Sequence, residues 1–401
     1  MSPGFTAAWS PGAPARQPAG QTPTLACEWS GTLDLSQEDA AVVELLIDQR
    51  PELGVFLSKA WLSGFFAEPP AGFAPSLLKF RDAGAFLGIV PLAIRSTFSH
   101  TRVMLLGGGA GSHRTDLLTC RGYEAACADA FISWLATSFA RRGFILELRN
   151  VPGESPLWGA VDRARVERGV RLVAQPDEIH ALPYLDLTEA FLAKAASLRE
   201  SHALQKHRRS LEQRGDFRVD LLDHEAEVLS TFDSLVRFLH LRWRGSRDEP
   251  AVDHPRLLRF HRHVLPRLLA EGRLRMLRLS CDMRTVGVFY GLGTAQWWGC
   301  YFADYDREWA GPIPLGQILV ASAIQVAAEQ GVRRFDFLKG LDRVKPLWPV
   351  RDRVSLDARV YSPASGAQFT RALRATRQAA SALVKSARNI PRIYDRSEPL
   401  G

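Results

Sequence analysis

Apolar and polar residues alternate along the chain in two similar runs, each broken by short turn signals. In the second half, Leu274–Ser280 (LRMLRLS) predicts a strand and residues 281–284 a turn. Thr285–Leu292 (TVGVFYGL) and Gln296–Ala303 (QWWGCYFA) predict two further strands around a turn at residues 293–295. Aromatic and β-branched residues between short turns point to an antiparallel meander. An irregular stretch, DYDREWAGPIPLG, leads to a helix at Leu315–Gln330. Leu315, Ile318, Leu319, Ser322 and Val326 share one face of that helix, and Gly331 stands where a C-terminal cap belongs. Phe335–Leu338 (FDFL) reads as the next strand.

The first half repeats the order. Ser76–Arg81, Ala85–Ile94 and Arg102–Leu106 predict strands, the first two joined by a turn at residues 82–84. The stretch GGGAGSHRTD reads as a flexible loop, Tyr123–Arg142 as a helix closed by Gly143, and Phe144–Arg149 as a last strand. Strand, turn, strand, strand, loop, helix, strand thus occurs twice, which predicts a tandem duplication. Two unrelated α/β domains with the same order are the competing reading. Between the halves, Ser197 and Glu200 have the spacing of a capping box at the start of a charged helix carrying Arg199, Lys206, Arg208, Arg209 and Arg214. The expected division is a disordered tail over 1–30, an N-terminal domain over 31–178, a C-terminal domain over 179–365, and a basic helix and tail over 366–401. That last segment is either an ordinary helix with a solvated basic face or a surface for peripheral membrane or partner contact.

Length supports two domains: 401 residues exceed what one ordinary core holds. A 46% hydrophobic, 23% charged chain with no apolar run near the roughly 20 residues of a membrane helix reads as globular. Five scattered cysteines fit reduced thiols, and so a cytoplasmic location, better than a disulfide framework. The formal charge of +8 favours anionic partners, yet no nucleic-acid recognition motif accompanies it. Neither His261 with His263 nor His113 with Cys120 and Cys127 has metal-ligand spacing, so no metal is expected. Walker, dinucleotide, His-Glu-x-x-His and Gly-x-Ser-x-Gly motifs are absent.

The chemistry concentrates at two places. Where the second-half helix begins, Pro314, Leu315, Gly316 and Gln317 place a glycine among the unpaired N–H groups of a helix N-terminus. Such a turn suits a pyrophosphate held by backbone amides, though Pro and Gly also begin helices with no ligand. On the following strand, Asp336 lies between two phenylalanines, and a carboxylate there needs a reason. It accepts a proton from an acceptor group, or it pairs with a nearby arginine. Lys345 either stabilises developing negative charge or is a solvated loop residue. Trp243 and Tyr301 are candidate pocket-lining aromatics, although such residues are more often core.

These residues resemble the CelD-type acyltransferases of the GNAT superfamily and, more distantly, FemAB-like aminoacyltransferases. The resemblance rests on GIVPLAI (Gly88–Ile94), LRNVPGESPLW (Leu148–Trp158), SLRESHALQKHRRSLEQRG (Ser197–Gly215), the tryptophan of HLRWRG, the PLGQIL helix start, and DFLKG followed by Lys345 and Trp348. It implies an α/β fold of mixed sheets with two GNAT-like acyltransferase domains in tandem. It implies an acyl-CoA donor, most simply acetyl-CoA, and a small-molecule or carbohydrate acceptor such as a polysaccharide or lipid precursor. By position, Pro314, Leu315, Gly316 and Gln317 hold the CoA pyrophosphate. Asp336 and Lys345 are catalytic, and Arg208, Trp243 and Tyr301 bind the acceptor. Two alternatives stand beside this reading. One is a transferase using aminoacyl-tRNA, the only nucleic acid expected. The other is a non-catalytic partner in an envelope-polysaccharide assembly.

Overall fold

The computed structural model describes residues 25–108, 111–167, 173–188, 207, 209–243, 255–339, 348–363, 366–368 and 370–372. The first half opens with β1 (Ala26–Ser30), α1 (Gln37–Gln49), α2 (Pro51–Gly54) and α3 (Lys59–Ala67). It continues with β2 (Ala74–Asp82), β3 (Ala85–Ser96), β4 (Thr101–Leu105), β5 (Leu118–Thr119), α4 (Glu124–Ser138), β6 (Phe144–Pro152), α5 (Pro156–Glu167) and β7 (Val173–Asp186). The second half runs β8 (Phe217–Leu221), α6 (Glu225–Trp243), α7 (Pro255–Ala270), β9 (Leu274–Cys281), β10 (Arg284–Gly293) and β11 (Trp297–Tyr305). It ends with α8 (Arg307–Ala310), α9 (Leu315–Glu329), β12 (Arg334–Asp336) and β13 (Arg351–Tyr361).

The strands join one 13-stranded sheet in the order β1-β2-β3-β4-β6-β13-β7-β12-β11-β10-β9-β8, with β5 beside β3. Each half has an antiparallel meander, then a helix, then a strand parallel to the last meander strand: β4 with β6, and β11 with β12. The helix expected at Leu315–Gln330 is α9 almost to the residue. The one expected at Tyr123–Arg142 stops at Ser138, where Phe139 leaves helical geometry and Gly143, at φ 73°, turns the chain into β6. The duplication reaches backbone detail. The β2–β3 turn puts Ala83 and Gly84 at positive φ, and the β9–β10 turn does the same with Asp282 and Met283. Asn150 and Leu338, both left-handed, end or bend the two parallel strands.

The halves are interlocked rather than merely adjacent. The strand that follows the first half's parallel strand, β7, pairs with β12 of the second half. The strand that follows the second half's, β13, returns to pair with β6. β7 and β13 also pair with each other along eleven positions, Arg351↔Tyr184 to Tyr361↔Val173. On one face, α4 and α5 cover the first half and α9 the second, in separate apolar clusters. On the other, α1–α3 and α6–α7 share a single core holding Trp61, Phe65, Phe232, Phe260, Tyr290 and Tyr301. Gly64 permits that closeness: a Cβ there would lie 2.4 Å from Val264 Cγ1.

Candidate active site

β11 and β12 pair only at Trp297↔Arg334, Trp298↔Phe335 and Gly299↔Asp336. β12 then stops, and Leu338, at φ 53°, carries the chain away while β11 continues to Tyr305. The two strands therefore part into a wedge at their C-terminal ends, where ligands of open α/β sheets bind. β11 leads out of the wedge into α8, capped by the Asp306 side chain on Trp309 N–H, and on to α9.

At the start of α9, Pro314 occupies the cap position, and its carbonyl accepts from Gln317 and Ile318 N–H. Leu315 is buried, Gly316 half-buried and Gln317 exposed, so the four predicted residues do come together at one helix N-terminus. Among the described residues, no acceptor engages Gly316 N–H. The glycine is needed because a Cβ there would meet the Tyr305 ring at 2.9 Å. Over that same ring lies Arg307, with its guanidinium carbon 4.7 Å from the centroid and one nitrogen 2.9 Å from Asp304 Oδ1. A free amide, the helix dipole and a half-exposed guanidinium thus converge at the open end of the wedge. Asp304 is fully buried, and its Oδ2 has no hydrogen-bond partner. Burial, opposed by Arg307, raises its pKa.

Asp336 lies at the closed end. Its carboxylate has no exposed surface; Oδ2 accepts from Arg114 at 2.8 Å and Oδ1 from Leu338 N–H at 2.9 Å. Burial raises its pKa, with Arg114 opposing. The loop supplying Arg114 was expected to be flexible. Instead Ser112, Arg114, Thr115 and Asp116 are buried, because the loop inserts against the second half. His113 Nδ1 accepts from Lys339 N–H, and its ring lies 4.9 Å from that of Tyr301. The Tyr301 hydroxyl donates to Gly111 O at 2.6 Å. Burial, with Lys339 and Arg114 adding to it, pushes His113 down to about 3. Lys339, half-buried with Nζ on Asn150 Oδ1, is also lowered by burial.

Tyr301 and Asp336 therefore meet the same first-half loop, at the end of the wedge away from the turn at Gly316. Trp243 is the last residue of α6. Its side chain, and Arg208 and Lys345 altogether, lie outside the described residues. Arg114, His113, Arg307 and Lys339 were not anticipated. Of these only Arg307, a cation just before the helix start, left a local signal in the sequence. Glu178, His180 and Asp357 bring metal-ligand atoms within 4.8 Å of one another. However, the Asp357 oxygens are already taken by Asn150 N–H and Arg149.

A parallel strand pair follows an antiparallel meander and a helix in each half, and in the second half the pair parts toward a glycine-bearing helix N-terminus. Residues 199–346 match the acetyltransferase (GNAT) domain family, so this part of the chain has the GNAT acyltransferase fold. Among solved structures, FemX aligns with a TM-score of 0.54 at 10% identity, covering 82% of this chain and 96% of its own. The C-terminal domain of a putative lysylphosphatidylglycerol synthetase from Agrobacterium fabrum aligns at 0.50 and 12% identity, over 83% and 94% of the two chains. A tandem GNAT protein of clavulanic acid biosynthesis covers 84% of this chain and 98% of its own at 15% identity, with a looser TM-score of 0.44. No curated protein matches the chain in sequence. The fold is two GNAT-like halves in tandem, and no described helix is long and apolar enough to cross a membrane.

Proposed function

We propose that the second half transfers an acyl group from acyl-CoA, most simply acetyl-CoA, to an amine or hydroxyl of a small-molecule or carbohydrate acceptor. The observation that carries this reading is the unengaged Gly316 N–H at the start of α9 with Arg307 beside it. Backbone donors, helix dipole and guanidinium together suit the pyrophosphate of a carrier. Pro314, Leu315, Gly316 and Gln317 form that turn. The unpaired edge of β11 beyond Gly299 then borders the pantetheine. The acceptor attacks the thioester carbonyl, the C–S bond breaks, and the departing thiolate takes up the proton that the acceptor releases. Asp336, buried and paired, acts by holding the Leu338 turn and the Arg114 loop that shape the wedge. Tyr301 supports its wall through Gly111. Lys345 as the group stabilising negative charge, and Arg208 and Trp243 as acceptor contacts, belong to the same reading.

Titration with acetyl-CoA, followed by calorimetry and thermal shift, tests it. The parent protein should bind. Gly316→Glu should abolish binding, and Arg307→Ala should weaken it about tenfold, the worth of one charge-assisted contact. Absence of any response at millimolar acetyl-CoA would overturn the reading. If tRNA bound instead, with affinity falling steeply as salt rises, the aminoacyl-tRNA alternative would take its place.

A further inference from the structure

A second concavity opens where β11 and β12 begin, at the end of these strands away from α9. It encloses about 950 Å³ between the α1–α2 corner of the first half and the ends of β7, β11, β12 and β13. That volume fits a small metabolite. Its walls are charged, and most of the charges are already matched. Asp186 accepts from both Arg334, at 3.1 Å, and Arg351, at 3.0 Å. Glu52 takes Arg353 at 3.4 Å. Arg334 and Arg353 each also lie against the Tyr184 ring, 4.9 Å from its centroid.

Two opposite charges remain. Arg333, exposed at the start of β12, has no carboxylate partner among the described residues, and neither has Asp48 a cation. They come from different halves of the chain and line the same cleft. Asp48 is in the last turn of α1, where the helix dipole adds to its attraction for a cation. Trp297 also lines the cleft, and its buried Nε1–H has no acceptor.

We propose that this cleft binds a small zwitterion, with its carboxylate or phosphate on Arg333 and its ammonium on Asp48. A guanidinium recognises either anion through paired hydrogen bonds, and a carboxylate recognises an ammonium. Because the walls come from both halves, the bound zwitterion bridges them. The site is separate from the carrier turn and does not rest on the acyl-transfer reading.

Calorimetric titration of the full chain, without any acyl donor, tests the proposal with two probes. Glucosamine 6-phosphate carries ammonium and phosphate; glycylglycine carries ammonium and carboxylate. At least one should bind, and which one does separates phosphate from carboxylate recognition. R333Q and D48N should each weaken that binding tenfold or more. Both side chains are exposed, so melting temperatures should stay near the parent's. Arg141→Gln, in the turn between α4 and β6 at the far end of β13, removes an equal charge and should leave binding unchanged. Failure of both probes at about 10 mM would overturn the proposal, as would binding indifferent to both cleft substitutions. Equal binding of glucose 6-phosphate, which has no ammonium, would overturn the role of Asp48.

Discussion

Asp336 shows how burial decides what a carboxylate does. A strand residue flanked by Phe335 and Phe337, with no exposed surface, is stable as an anion only if it is paired, and Arg114 provides that pair. Removing one partner leaves an uncompensated charge in the interior. Asp336→Asn should therefore lower unfolding stability by about 3–5 kcal/mol, measured by urea denaturation. Replacing both partners, as Asp336→Leu with Arg114→Met, should recover much of that loss, since a buried ion pair is often worth no more than apolar groups of similar volume. A full-stability Asp336→Asn protein with a lost kcat would instead make the residue a base. In the sequence Asp336 was visible as an acid out of place. Its partner, 222 positions away, was not.

At the scale of elements, the two hairpin turns make a matched experiment within one chain. Both need two residues at positive φ, which suits the right-handed twist of the strands they join. The first half places Gly84 at the second position, at φ 86°. The second half places Met283 there, at φ 65° and 92% exposed, so its side chain gains little from packing. Met283→Gly should relieve the strain of a left-handed non-glycine residue and raise stability by about 0.5–1 kcal/mol, less than the full strain because glycine adds entropy to the unfolded chain. The thermal midpoint checks it; a lower midpoint would show that Met283 contributes a contact worth more than its strain.

For the whole molecule, exchange of β7 and β13 and the shared core make each half depend on the other. His261 lies inside that core, 1% exposed and ringed by Trp61, Phe232, Phe260, Tyr290, Tyr301 and Phe302. Burial, with His113 adding to it, pushes its pKa down to about 3. The folded protein thus keeps this imidazole neutral where the unfolded chain, with a pKa near 6.5, protonates it. Stability contributed by the neutral ring is complete above pH 6.5 and is lost as pH falls toward the folded pKa. Between pH 7 and 5 the loss should be about 2 kcal/mol from this group. Asp116, raised to about 6 by burial, works in the opposite direction, so the parent is best compared with His261→Phe. The stability difference between the two should shift by about 2 kcal/mol over that range in denaturant unfolding, and an unchanged difference would place the imidazole in contact with water.

The sequence alone determined what is settled within some 20 residues. It specified the β2–β3 hairpin, the β9–β10–β11 meander, the start of α9 and the repetition of this order, because period-two alternation, turn residues and helix ends act locally. Only the tertiary structure decided that β13 crosses back to β6, that Gly111, His113 and Arg114 reach the second half, and that Arg333 and Asp48 share a cleft. Those outcomes depend on which apolar faces close over each other and which buried charges find partners. Such choices join residues one to three hundred positions apart and leave no periodic trace in the chain.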